Sequence, residues 1–172
     1  MRIFFLLISF IVLACNGLYA QSLGKMSLGC NRRDIPLTLP NGYNRCTTNT
    51  NSELTYTTAD GNSNVSFHLS DNVVCKIVMH KFVDDYGEID RIKSKVEELF
   101  IELYDMWGEP SYIGENVYWQ FEGAKATFTY TIATYQMQVP VNPSDLFSAT
   151  YLKTFYRCYA DIKLEKKSSS FE

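Results

Sequence analysis

The chain has 172 residues, 46% of them apolar and 20% charged, with 12 tyrosines and 11 phenylalanines. That much apolar surface excludes a disordered tail, a collagen-like fibre and a polyelectrolyte. A formal net charge of −3 argues against nucleic acid as a partner, because phosphate binding needs clustered Lys and Arg.

Met1-Arg2 is followed by an almost unbroken apolar run, Ile3 to Ala14, and then by Cys15-Asn16-Gly17-Leu18-Tyr19-Ala20-Gln21. One positive charge, a short apolar stretch and small residues before a cut make a signal-peptide pattern. The run is too short for the about 20 residues of a bilayer-spanning helix, and no later segment approaches that length. Residues 1–20 are therefore expected to be a signal peptide of a periplasmic or secreted protein without a transmembrane helix. A competing reading takes 1–14 as the leader. Val12-Leu13-Ala14-Cys15 resembles a bacterial lipoprotein box, which implies a lipidated Cys15 and anchoring on the outer membrane. The Ala20-Gln21 cut is preferred for its small residue. Residues 21–165 then suffice for a single domain of ordinary size.

Residues 21–63 are poorly periodic and contain Pro36, Pro40, Gly42 and a polar run from Thr47 to Ser52. This predicts an irregular lead-in, with short strands near Ile35 to Leu39 and Leu54 to Thr58 and a turn at Asp60-Gly61-Asn62. Val65 to Leu69 and Val73 to Phe82 read as strands of a hairpin joined by Ser70-Asp71-Asn72. Asp84-Asp85-Tyr86-Gly87 breaks that pattern. From Glu88 to Trp107, Ile89, Ile92, Val96, Leu99, Leu103 and Met106 recur at helical spacing. Gly108 and Pro110 stop the helix. Asn116 to Phe121 and Ala124 to Tyr135 predict two strands about a Glu122-Gly123 turn. Gln136 to Ser148 predicts a loop, and Thr150 to Leu164 a long last strand. On that strand Leu152, Tyr156, Cys158, Ala160 and Ile162 share one face, and Tyr151, Lys153, Phe155, Arg157 and Tyr159 the other. Residues 166–172 form a polar tail. Short connections favour antiparallel neighbours. The expected fold is α+β and two-layered: one long amphipathic helix (about 88–107) on an antiparallel sheet of about five strands, in the order ββαβββ.

Trp107-Gly108-Glu109-Pro110 after a helix, followed by the strand Val117-Tyr118-Trp119-Gln120-Phe121, resembles small bacterial envelope domains: the BamE-type outer-membrane assembly lipoproteins and the related β-lactamase-inhibitor-like fold. It is also similar to exported proteins of Bacteroidota-type bacteria. The resemblance covers about 30 residues. It implies an envelope location and a protein-binding role, and no site residues.

Without Cys15, four cysteines remain in an expected exported chain, which suggests two disulfides. Cys30 and Cys46 flank a polar segment that a bridge would restrain, and Cys75 and Cys158 both point inward by alternation. The expected pairs are Cys30–Cys46 and Cys75–Cys158, against separate buried thiols. No Cys-x-x-Cys, His-x-x-x-His or Gly-x-Ser-x-Gly occurs, so no metal, cofactor or catalytic residue is assigned. His68, expected opposite Val74, and His80 should lie roughly 20 Å apart along their hairpin. Asp84, Asp85, Glu88 and Asp90 lack the spacing of a calcium loop and suit a helix start instead. Asn64-Val65-Ser66 is a glycosylation sequon, with force only in a eukaryotic source.

The best candidate site is the row Tyr151, Phe155 and Tyr159 with Arg157, on the sheet face away from the core. Aromatics with Arg are enriched at protein interfaces. The same rings suit a sugar, or serve only as cross-strand packing. The expected function is a non-catalytic interaction module of the bacterial envelope binding another envelope or extracellular protein. A carbohydrate-binding or carbohydrate-processing protein is the alternative, and a secreted inhibitor a third.

Overall fold

The computed structural model describes residues 22–47, 49–87, 89–144 and 149–167, with backbone alone for 84–87. The expected leader, Cys15 and Glu88 lie outside the described residues. β1 (Ser22–Leu23) and β2 (Met26–Ser27) form a small hairpin. A 3-10 turn (Arg32–Asp34) leads into the one-turn helix α1 (Ile35–Thr38). Then follow β3 (Tyr43–Arg45), β4 (Glu53–Thr58), β5 (Ser63–Ser70), β6 (Val73–Gly87), helix α2 (Ile89–Trp107), β7 (Tyr112–Ile113), β8 (Val117–Phe121), β9 (Ala124–Pro140) and β10 (Thr150–Lys166).

Strands β3 to β10 build one antiparallel sheet of eight strands, in the order β3-β4-β5-β6-β10-β9-β8-β7. The expected sheet of about five strands in the order ββαβββ is therefore wrong. The molecule is mostly sheet, with a separate two-stranded hairpin and one main helix. The missed strands β3 and β7 have 3 and 2 residues, too short for periodicity to show, and they exist by pairing on an edge already present. Residues 35–39 are not a strand. Pro36 suits the first turn of a helix, where no N–H is needed, and the Thr38 hydroxyl donates to the Ile35 carbonyl at 2.8 Å. β6 runs on through Asp84–Gly87, taking two register shifts against β10. Lys166 belongs to β10 rather than to a tail.

The hairpin at Asp71-Asn72 is as expected. Both residues adopt positive φ, 53° and 63°, the conformation of a two-residue turn that matches strand twist, and Asn and Asp tolerate it best among residues with a Cβ. Helix α2 buries Ile92, Val96, Leu99, Leu103 and Trp107 against Ile77, Trp119, Ala126, Phe128, Ile162 and Leu164. Each large side chain so buried contributes about 1.5–3 kcal/mol. The helix ends where Gly108 turns to φ 76° and its N–H donates to the Tyr104 carbonyl at 2.7 Å, a left-handed cap that suits glycine. Trp119 then donates its Nε1–H to the Gly108 carbonyl at 2.8 Å and meets Trp107 edge-on at 5.2 Å. Trp107-Gly108 and Trp119 thus lock the helix end to β8.

One mismatch of length shapes the molecule. Strands β9 and β10 each have 17 residues and so reach roughly 56 Å. Helix α2 has 19 residues and reaches only about 28 Å. The core face of β10 is buried from Cys158 to Leu164 and exposed from Thr150 to Thr154. β8 pairs with β9 no further than Phe128, and β6 with β10 no further than Tyr156. Beyond those points β9 and β10 project as a two-stranded arm. Leu152 has the face expected for it, yet it is 64% exposed, because α2 does not reach it.

Candidate functional site

The ladder between β9 and β10 is regular from Thr150↔Pro140 to Lys166↔Ala124, so side-chain alternation is preserved along the whole hairpin. Cys158, Ala160, Ile162 and Leu164 face α2 and are buried. Tyr151, Lys153, Phe155, Arg157 and Tyr159 therefore lie on the opposite, open face. Their cross-strand partners are Val139, Met137, Tyr135, Ala133 and Thr131.

The predicted row divides into three parts. Tyr159 stacks on His80 with ring centroids 5.1 Å apart and meets Phe82 edge-on at 5.7 Å. His80 Nδ1 lies 2.7 Å from Asp161 Oδ1, with both side chains substantially exposed, so the pair contributes at most about 1 kcal/mol. In the middle, Phe155 stacks on Tyr135 at 6.0 Å. The Arg157 guanidinium lies over Tyr135 at 5.9 Å, and the Lys153 ammonium over Phe155 at 5.6 Å. These two parts are cross-strand packing as well as surface. The outer part, Tyr151, is 48% exposed beside Val139. Some eight residues separate Tyr151 from Tyr159, roughly 26 Å, so the row spans the arm rather than forming one pocket.

The loop expected over Gln136 to Ser148 is strand as far as Pro140, and the alternation of Tyr135, Met137 and Val139 is the signal that Pro140 and Pro143 outweighed. The strand continues to Pro140, and it supplies the exposed Met137 and the stacking Tyr135 to the arm. From Ala126 to Ser144 the chain carries no charged residue. The outer edge of β9 thus lacks the charges that commonly guard a strand edge from pairing.

Neither expected pair, Cys30–Cys46 nor Cys75–Cys158, lies at bonding distance. Lys76 is opposite Glu165, so Cys75 sits more than seven residues of strand from Cys158, roughly 23 Å or more. The Val74 N–H donates to the Cys30 carbonyl, and the Cys46 N–H to the Thr55 carbonyl of β4. With β5 lying between β4 and β6, Cys30 and Cys46 are separated by on the order of 10 Å or more. Both separations exceed the about 7 Å between Cα atoms that a bridge tolerates. Burial, aided by the negative charge of Asp34, raises the pKa of the Cys30 thiol. At the β4–β5 turn, the Thr58 hydroxyl and then the Asn62 backbone N–H hold the Asp60 carboxyl below its ordinary value.

His68 pairs with Lys76 rather than Val74, because the ladder shifts between His68 and Leu69. It remains four residues of strand from the level of His80, roughly 13 Å, so the two histidines share no site. Asn64 lies within β5. The side chains of Asp84, Asp85 and Glu88 are outside the described set. Among the described residues no group of three His, Cys, Asp or Glu is arranged to hold a metal, and no helix is long and apolar enough to cross a membrane. No family model, curated protein or solved structure matches the chain.

Proposed function

We propose that the protein is an exported, non-catalytic interaction module that grips another protein with the β9–β10 arm, in the bacterial envelope that the resemblance around Trp107–Phe121 implies. The observation that supports this reading is the uncovered half of the hairpin. Tyr151, Leu152, Met137 and Val141 are 48%, 64%, 40% and 65% exposed on and beside two strands that have no third neighbour among the described residues. Isolated two-stranded hairpins are marginal in water, so an arm of this kind gains most from a partner that covers it. Tyr, Met and Arg are the side chains interfaces enrich, and the charge-free edge of β9 offers backbone groups to an added strand.

Photoreactive amino acids at positions 151 and 152, introduced in the producing cells, test the reading. The expected result is a discrete protein adduct from both positions and none from Glu97, on the exposed face of α2. Replacing Tyr151, Phe155 and Tyr159 together should remove the adduct formed from position 152. Adducts absent from the arm, or equal from position 97, refute the assignment. Binding to a glycan array without any protein adduct would favour the carbohydrate reading of the same rings.

A further inference from the structure

A second feature lies on the other side of the sheet and is independent of the arm. Between α2, the sheet and the β1–β2 hairpin is a cleft of about 450 Å³, within the range of about 300–1,000 Å³ in which small-molecule sites fall. Its walls are mainly apolar. Leu103 and Met106 come from α2, Met79 from β6, Ile162 from β10 and Met26 from β2. Three methionines in one cleft make an adaptable lining, because an unbranched thioether chain refits to ligands of varied shape.

The polar groups at this cleft are Lys25, Lys81 and Glu102, with Thr38 and Asn41. Lys81 is the anomaly. It pairs with Ala160, which is fully buried, so period-two geometry puts this lysine on the core face of β6, in line with Met79 and Ile77. A cation directed to the side of the sheet that carries Met79, Ile77 and Ala160 breaks the apolar pattern there, beside the polar Ser63 of β5 opposite it, and such breaks are where function is expected. Ala160 is small and leaves room beside it. Lys25 sits in the tight turn of the β1–β2 hairpin. Among the described residues neither lysine forms an ion pair. With Glu102 counted, the cleft carries one net positive charge.

We propose that this cleft binds a single-chain amphiphile with a carboxylate head. The tail lies among Met26, Met79 and Met106, and the carboxylate is held between Lys25 and Lys81. Apolar walls of this volume select a tail, and the two ammonium groups select an acidic head over a neutral or cationic one.

The test is calorimetric titration of the purified protein with dodecanoate, dodecanol and dodecylamine, each below its micelle-forming concentration. Dodecanoate should bind saturably at one site, with dodecylamine at least about tenfold weaker, the scale of one charge-assisted hydrogen bond. Lys81→Met should weaken dodecanoate about tenfold and leave dodecanol unchanged. Lys25→Met, in a surface turn where folding is not at stake, should weaken it in the same direction. Met79→Trp, which fills the cleft, should weaken acid and alcohol together, with far-ultraviolet circular dichroism confirming the fold. Absence of saturable dodecanoate binding, equal binding of the amine, or indifference of dodecanoate to both lysine substitutions overturns the proposal.

Discussion

Trp119→Phe should be among the costlier conservative changes in the molecule. The indole is 1% exposed. Its Nε1–H is given to the Gly108 carbonyl at 2.8 Å, and its ring meets Trp107 edge-on at 5.2 Å and Phe100 at 6.2 Å. Phenylalanine keeps an aromatic face but removes the donor, leaving a carbonyl at the helix end short of its partner, for about 1–3 kcal/mol. The altered ring contact with Trp107 adds about 0.5–1.5 kcal/mol. The expected loss is about 2–4 kcal/mol, a fall in Tm of roughly 5–15 °C for a domain of this size. Urea unfolding followed by circular dichroism measures it. The chain has 2 tryptophans, so the fluorescence of the variant reports Trp107 alone. Trp107→Phe and the double variant complete a cycle, in which the pair should couple by about 0.5 kcal/mol or more. A loss below about 1 kcal/mol, or strictly additive effects, would refute the view that Trp119 clamps the helix end.

Gly108→Ala puts a Cβ on a residue at φ 76° and should destabilise by about 1–2 kcal/mol, read by the same unfolding curves. Thr58→Val removes the first of the bonds holding the Asp60 carboxyl low, so carbon-13-detected titration should show the Asp60 pKa rising toward its ordinary value. Because the folded value lies below the unfolded one, the stabilisation is present above the unfolded pKa and is lost as pH falls through the folded value. Because Thr58 Oγ1 also bonds the Ser63 backbone, the variant should be less stable at every pH, with the gap widest at neutral pH and narrowing in strong acid. Alkylation of the denatured protein without reductant should label Cys30, Cys46, Cys75 and Cys158; in the native state Cys30 should react more slowly than an unperturbed thiol, since its raised pKa lowers the thiolate fraction. Amide exchange should be fast at 134–139 and 151–155, in the arm, and slow at 158–164 beneath the helix.

Periodicity read well wherever burial is one-sided. Ile92, Val96, Leu99 and Leu103 repeat at helical steps because a single face of α2 meets the sheet, and they are the residues found buried. The alternation of β10 was legible for the same reason, and the ladder with β9 preserves it. What failed was pairing. Nothing local in Tyr43-Asn44-Arg45 or Tyr112-Ile113 announces an edge strand. Alternation set both Cys75 and Cys158 inward and suggested a bridge, but Cys75 falls at the register shift against β5, where Val74 is the buried residue, and register sets the two cysteines far apart. The candidate row was correctly placed on one face. Its partners His80, Phe82 and Tyr135 were not seen, because neighbours across a sheet follow from strand order and not from spacing along the chain.

The arm and the helix have one origin. β6 follows β10 as far as Gly87 opposite Tyr156, shifting register twice on the way, and α2 begins at Ile89. Had β6 continued, β10 would have kept a neighbour along its length, but no chain would have been free to turn back over the sheet. By leaving there, β6 supplies the helix that buries Cys158 to Leu164 and strips both neighbour and cover from Thr150 to Thr154. Exposure of Tyr151 and Leu152 is thus a consequence of topology, not a local defect that loop changes would repair. Substitutions inside the helix cannot bury the arm, since the missing cover is a matter of roughly 28 Å of length. Only a longer helix, an added strand or a partner can do so, and the uncharged edge of β9 leaves the strand and the partner sterically and electrostatically open.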